Sequence, residues 1–218
     1  MDLSALFSKP QILLPMVVLF YAVLFLLKTT TFKGKLGDNI IKVTTRTYLD
    51  NHRYHVLNKV TLPAAEGTAR IDHLIVSIYG IFVIATLNRK GSISGSVDEK
   101  TWLQKCNLRS HAFQNPLLQG DRQVKALQKL LQLSPEQVFL LLVFIDDTRF
   151  KSPMPDNVTQ GKGFIQFIQR KKTPLLTEAQ VNQCLDTIEK ERLFESVYAR
   201  EIHLANTSPR KSKHGQIL

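Results

Sequence analysis

The residues best placed to do chemistry lie in one segment, Ile71-Asp72-His73-Leu74-Ile75-Val76-Ser77-Ile78, where a carboxylate interrupts an apolar run. Read as a strand, its period of two puts Asp72 on the face of Leu74, Val76 and Ile78, and His73 on the other. A carboxylate on an apolar face is costly to bury unless it is hydrogen-bonded, ion-paired or ligating a metal. Two readings stay open for Asp72: a buried acid satisfied by nearby backbone donors, or a ligand for a hard cation. His73 reads as structural. Arg122, Lys125 and Lys129 form one basic face, and Arg170, Lys171 and Lys172 another. Such faces either contact phosphates or are simply solvated. Cys106 and Cys184 are far apart and in no ligand-like spacing, so neither a disulfide framework nor a structural zinc site is indicated, and a reducing cytosol fits.

The elements that must position these residues read as α/β. Apolar residues at helical spacing (Leu36, Ile40, Val43, Thr47) predict a first helix over Leu36 to Asp50. Three strands are predicted at Arg53 to Leu62, Ala69 to Ile78 and Ile81 to Asn88, joined by turn-rich Pro63 to Gly67 and by Tyr79-Gly80, which implies an antiparallel meander. Gly91 to Val97 reads as a short strand or hairpin arm with Trp102 just past it. Pro116 opens a helix whose core face is Val124, Leu127 and Leu131. Val138 to Ile145 is a continuous apolar run, the pattern of a central strand covered on both faces. Gly163 to Ile168 is expected as one more strand, and Thr177 to Leu193 as a final helix capped by Thr177 with Val181, Leu185 and Ile188 inside.

Composition sets the outer bounds. The 218 residues allow one ordinary domain plus an appendage, and 44% hydrophobic with 22% charged residues is globular rather than disordered. The 29 Lys and Arg against 18 Asp and Glu give a net charge of +11, which attracts polyanions, whether nucleic acid or an anionic membrane face. From Gln11 to Leu27 the chain carries no charge and is bracketed by Lys9 and Lys28. The run is apolar all round and ends in Leu-Leu-Lys without a small-residue cleavage site, so it predicts a transmembrane helix rather than a signal peptide or a surface helix. Lys28, Lys33 and Lys35 on its far side place the rest of the chain in the cytoplasm. The expected organisation is an anchor over 1–28, a linker over 29–35, a domain over 36–206 and a basic tail over 207–218.

A series of short motifs is more specific than any of these features alone. GKLGD at Gly34 to Asp38, the stretch Tyr54 to Leu62, GTARIDHLIVSIYGIFVI at Gly67 to Ile84, NRKG at Asn88 to Gly91, Trp102 with Gln104, and NPLLQ at Asn115 to Gln119 occur in one order. That order resembles the nuclease-related domain (NERD) family over roughly residues 34 to 132. The resemblance implies a restriction-endonuclease-like mixed sheet flanked by helices, here preceded by one transmembrane helix. It further implies Mg²⁺-dependent hydrolysis of DNA phosphodiesters. In that fold an acidic residue of the first helix and an Asp and a Glu of neighbouring strands hold the metal, and a Lys two residues after the Glu serves the attacking water. By the resemblance Asp72 is the strand aspartate, Asp38 stands for the helix carboxylate, and Gln119 is a polar residue able to reach the pocket from its helix or, equally, a solvent-facing one. DNA is the expected partner and a homodimer is compatible with the fold.

The chain departs from the family pattern at the decisive place. Where the family shows Ile-Glu-Thr-Lys-Asn, this sequence reads Ile84-Ala85-Thr86-Leu87-Asn88. Residues i and i+2 share a strand face, so Ala85 replaces the metal-binding Glu and Leu87 the Lys of one pocket. A loss confined to the two signature positions, with NRKG intact, is the pattern of a targeted change more than of drift. Arg89, Lys90 and Glu99 lie near in sequence but are poorly placed to substitute. The chain is therefore expected to be an inactive member, or a membrane-tethered DNA-binding or scaffold protein without catalysis.

Overall fold

The computed structural model describes residues 16, 21, 40–64, 68–145 and 147–192. The anchor at 11–27 is represented there only by Met16 and Tyr21. Otherwise the anchor, the linker, Asp38 and the basic tail lie outside the described residues. Among the described residues no helix is long and apolar enough to cross a membrane.

A helix, α1, covers 40–48. It buries Ile41 and turns Thr44 and Thr45 inward, Thr45 Oγ1 donating to the Ile41 carbonyl at 2.9 Å. Then come β1 (Tyr54–Pro63), β2 (Thr68–Ser77) and β3 (Gly80–Leu87), an antiparallel meander as the tight turns require. The turn into β3 uses Gly80 at φ +121°, a region open to glycine, where a Cβ would also meet the Phe139 ring at 2.8 Å.

Three short strands follow, β4 (Gly91–Ser94), β5 (Thr101–Cys106) and β6 (Arg109–Gln114), and then α2 (Pro116–Leu131). A single 3₁₀ turn at Pro135–Gln137 leads into β7 (Val138–Phe144). The chain ends in β8 (Thr148–Phe150), β9 (Val158–Gln160), α3 (Gly163–Arg170) and α4 (Glu178–Glu191).

The strands form two mixed sheets flanked by helices, so the protein is α/β. One sheet has the order β1-β2-β3-β7-β9, with β7 parallel to both β3 and β9; the other runs β6-β5-β4-β8. β7 is the central strand its apolar run predicts. Leu140, Leu142 and Phe144 enter one core with Leu74, Val83 and Leu127, while Leu141 and Val143 enter a second with Ile75, Ile84 and Phe164. In the first core α4 contributes Val181, Cys184 and Ile188. Thr177 caps α4 in a reciprocal box with Gln180, satisfying two donors at the helix start. Both cysteines are free thiols, and burial pushes the Cys184 thiol up.

One expected element is of the wrong type. Gly163 to Ile168 is not a strand but the body of α3, which buries Phe164, Ile165 and Ile168 against β7. Its apolar residues recur at one, three and four positions, which is a helix face; a six-residue apolar run alone does not separate the two. Gly91–Ser94 is the expected hairpin arm, β4, and Trp102 lies past it within the antiparallel partner β5; β5, β6, β8 and β9 have no counterpart in the sequence reading.

Candidate functional site

Asp72 sits near the middle of β2 and is half-buried. The β2/β3 ladder pairs Leu74 with Val83 and ends at His73 and Ile84, so Asp72 and Ala85 each adjoin its last pair. Ala85 and Leu87 share a strand face, are half-buried, and pack against the first core. On the other side Ala85 pairs with Leu142 and Leu87 with Phe144. Asp72 and Ala85 thus lie just beyond the last pair of the ladder on their two strands, with Leu87 two residues on along the Ala85 face.

The simple alternation predicted for β2 does not hold through this point. Ile71 and Leu74, three residues apart, both enter the first core, where a regular strand would send them to opposite faces. The same happens on β1, where Leu57 and Val60 enter that core and the ladder between Asn58↔His73 and Val60↔Ile71 skips Lys59 and Asp72. Lys59 has φ +52°, a left-handed conformation uncommon for a lysine. Two facing strands are therefore irregular at the same step, and Asp72 is the residue at it. Such irregularities re-aim a side chain. Among the described residues the Asp72 carboxylate makes no hydrogen bond or ion pair, so the reading in which backbone donors satisfy it gains no support.

His73 is structural, as its position suggests. It is buried, and its Nδ1 lies 2.7 Å from Asn58 Oδ1 across the β1/β2 ladder. Gln119 is exposed on the first turn of α2. One turn later on the same helix face, Gln123 Nε2 donates to the Arg70 carbonyl, two residues before Asp72. Arg122, Lys125 and Lys129 are exposed, at a spacing of three and four that puts them on one face of α2. Asp38 is outside the described residues.

Arg89 is not available to replace the missing lysine. Its guanidinium carbon lies 3.9 Å from the centroid of the Phe113 ring, Nη1 donates to Gln104 Oε1 at 2.9 Å, and Gln104 Nε2 donates to the Lys90 carbonyl at 2.8 Å. These contacts tie it to β5 and β6. Its pKa is lowered by burial, while a guanidinium stays charged at physiological pH. Gln104 therefore orders the chain just past β3 rather than touching the Asp72 region directly.

Trp102, 1% exposed, is core as a lone tryptophan usually is; its Nε1 donates to the Ser96 carbonyl at 2.8 Å. Gly95 lies flat against the indole, and a Cβ there would come within 2.3 Å of Trp102 Cδ1. Gly95→Ala is expected to cost about 2 kcal/mol by overpacking. The single tryptophan makes the check direct: its emission should shift to the red as the indole is displaced, and an unshifted spectrum with unchanged urea midpoint would refute the contact.

The NPLLQ segment holds a residue that sequence reasoning missed. Asn115, 0% exposed, accepts from the Leu117 amide at 3.0 Å and so caps α2. Its Nδ2 donates to the carbonyls of Ser96 (3.3 Å), Val97 (3.0 Å) and Glu99 (2.8 Å). Asparagine before proline at a helix start is the signal that could have found it. Gly120 then lets α2 lie on β7, since a Cβ there would meet Leu140 Cδ1 at 2.4 Å.

With this geometry in hand, the class of protein follows from comparison. The family described as nuclease-related domain, NERD, matches residues 33–145, and the chain belongs to that family. A similar curated protein is an uncharacterized protein of Bacillus anthracis, 35% identical over 102 residues, covering 46% of this chain and 48% of that one. The chain thus spans about half the length of the curated relative it matches. No solved structure matches it.

Proposed function

We propose that this is a membrane-anchored nuclease-related protein whose restriction-endonuclease-like fold belongs to Mg²⁺-dependent hydrolysis of DNA at the cytoplasmic membrane face, and that hydrolysis is disabled in this chain. The observation that supports the reading is that Asp72 on β2 and Ala85 on β3 adjoin the last pair of the β2/β3 ladder, with Leu87 on the Ala85 face. A strand pair that presents an aspartate beside two positions of one face is the arrangement the family chemistry uses. Here those two positions supply only a methyl and an isobutyl group.

The magnesium site expected of the family does not fit the residues present. A hard cation takes oxygen ligands, and at this point the described residues offer one carboxylate, Asp72. Among the described residues no group of three or more His, Cys, Asp or Glu side chains could hold a metal. Water activation is equally unprovided for, since Leu87 cannot accept or donate a proton. What the chain retains is the means to hold DNA, through the basic face of Arg122, Lys125 and Lys129, with the predicted transmembrane segment at 11–27 keeping it at the membrane.

Incubation of supercoiled plasmid with the full chain and Mg²⁺ is expected to leave the plasmid intact while a gel shift shows salt-sensitive retention. Nicking above background that disappears in Asp72→Ala would overturn the disabled reading. The same replacements favour a second reading, a tethered DNA-binding or scaffold protein in which no form of the site cleaves. It differs in predicting that restored side chains bring no activity.

A further inference from the structure

At the end of the larger sheet where β1 and β3 begin, a cleft of about 240 Å³ opens between α1, the β2–β3 turn and the end of α3. Tyr48, Tyr54 and Tyr79 line it, with Arg53, Lys171 and Lys172. Tyr79 and Ala85 lie at opposite ends of β3, so at ~3.3 Å per residue this cleft is roughly 20 Å from the Asp72 region along the strand.

Its parts are held in place. The Tyr54 and Tyr79 rings are stacked, with centroids 5.8 Å apart and planes at 29°. Both are half-buried, so they form a fixed aromatic platform. Lys171 Nζ sits 4.4 Å from the Phe139 ring centroid and 5.2 Å from that of Phe167, which positions its charge at the cleft wall. Lys162 Nζ lies 3.1 Å from the Tyr48 hydroxyl, adding a further cation at the edge. Asp50 also lines the cleft, but Arg53 Nε lies 3.7 Å from its carboxylate and offsets it. The positive excess therefore rests on Lys171 and Lys172.

We propose that this cleft binds single-stranded nucleic acid, a base stacking on the tyrosine platform while neighbouring phosphates meet Lys171 and Lys172. Stacking platforms beside fixed cations are how proteins take single strands without reading sequence, and each stacked base contributes substantially to affinity. A duplex keeps its base faces covered by its own stacking and offers the cleft only phosphates. An anionic lipid surface is the poorer fit, because flat headgroup layers meet projecting cations and cannot enter a recess lined by rings. The inference stands on the cleft and does not depend on hydrolysis at Asp72.

The test is fluorescence anisotropy on the full chain in nonionic detergent, with a labelled oligothymidylate, the corresponding duplex, and phosphatidylserine vesicles as competitor. The single strand should bind more tightly than the duplex. Tyr79→Ala should lose about tenfold in affinity and Tyr79→Phe should retain it. Lys171→Gln with Lys172→Gln should flatten the dependence of log affinity on log salt by about 1.4, and Lys190→Gln, at an exposed lysine of α4, should not weaken single-strand binding. Equal affinity for duplex, or an unchanged affinity in Tyr79→Ala, overturns the proposal. Displacement of the strand by vesicles through the same two lysines reassigns the cleft to lipid. If Tyr79→Ala does not fold, the exposed Lys172→Glu decides: it should weaken single-strand binding, and no change overturns the assignment.

Discussion

Ala85→Glu combined with Leu87→Lys is expected, on the disabled-site reading proposed above, to give this chain a Mg²⁺-dependent nuclease activity. Residues 85 and 87 share one face of β3, and residue 85 and Asp72 each adjoin the last pair of the β2/β3 ladder. A glutamate there would stand next to the aspartate, and a lysine two residues on would face the same pocket. General acid–base groups of this kind contribute about 10²- to 10⁴-fold, so conversion of supercoiled plasmid should rise at least ~10²-fold over the chain with Ala85 and Leu87. Adding Asp72→Ala should return it to background with plasmid retention intact.

Because Leu87 packs partly against the first core, the double change should also cost about 1–3 kcal/mol of stability. A thermal melt on each variant separates that cost from the chemistry. A folded, DNA-retaining double variant that leaves the plasmid untouched would sink the disabled-nuclease reading and support the tethered binding protein.

Asn115→Ala is expected to be the most damaging single substitution away from that site. It removes the cap of α2, about 1 kcal/mol, and strips a shared donor from three carbonyls of the 96–99 loop. A carbonyl left buried without a partner costs ~1–3 kcal/mol. A total loss of about 3 kcal/mol, at a urea slope of about 2 kcal/mol per molar, lowers the midpoint by ~1.5 M. Asn115→Asp sharpens the test. It keeps the acceptor for the Leu117 amide but turns a carboxylate onto three carbonyls, so it should be at least as harmful as alanine. A near-neutral aspartate would mean that capping alone matters and that the loop is held by other contacts.

Much of this fold is written in patterns a sequence displays openly. The β1–β2–β3 meander follows from alternating runs parted by turn residues, and α4 from Thr177 with a periodic stripe behind it. The hidden elements share a physical reason. Strands β5 and β6 expose most of their side chains, including Leu103, so little in the sequence marks them, and β8 and β9 are three residues each. The α3 segment is short enough for its apolar run to read either way.

At the site, Asp72 drew attention as a carboxylate in an apolar run, and positions 85 and 87 through the family resemblance, the strand's period adding only that the two share a face. The break at Lys59 and Asp72 was not legible, since a positive φ at lysine leaves no trace in composition. Gln119 drew attention as a polar group near a helix start, while the neighbouring Asn115 carries the bonds.

The position of β3 between an antiparallel partner and the parallel β7 means that its hydrogen bonds to both neighbours are independent of which side chains occupy 85 and 87. On the reading proposed above, such chains could gain or lose the reaction through two codons while keeping the same sheet and the same basic helix face. Screening that reads retention on DNA alone would score the two forms alike, and only a readout of broken phosphodiester bonds would tell their chemistry apart.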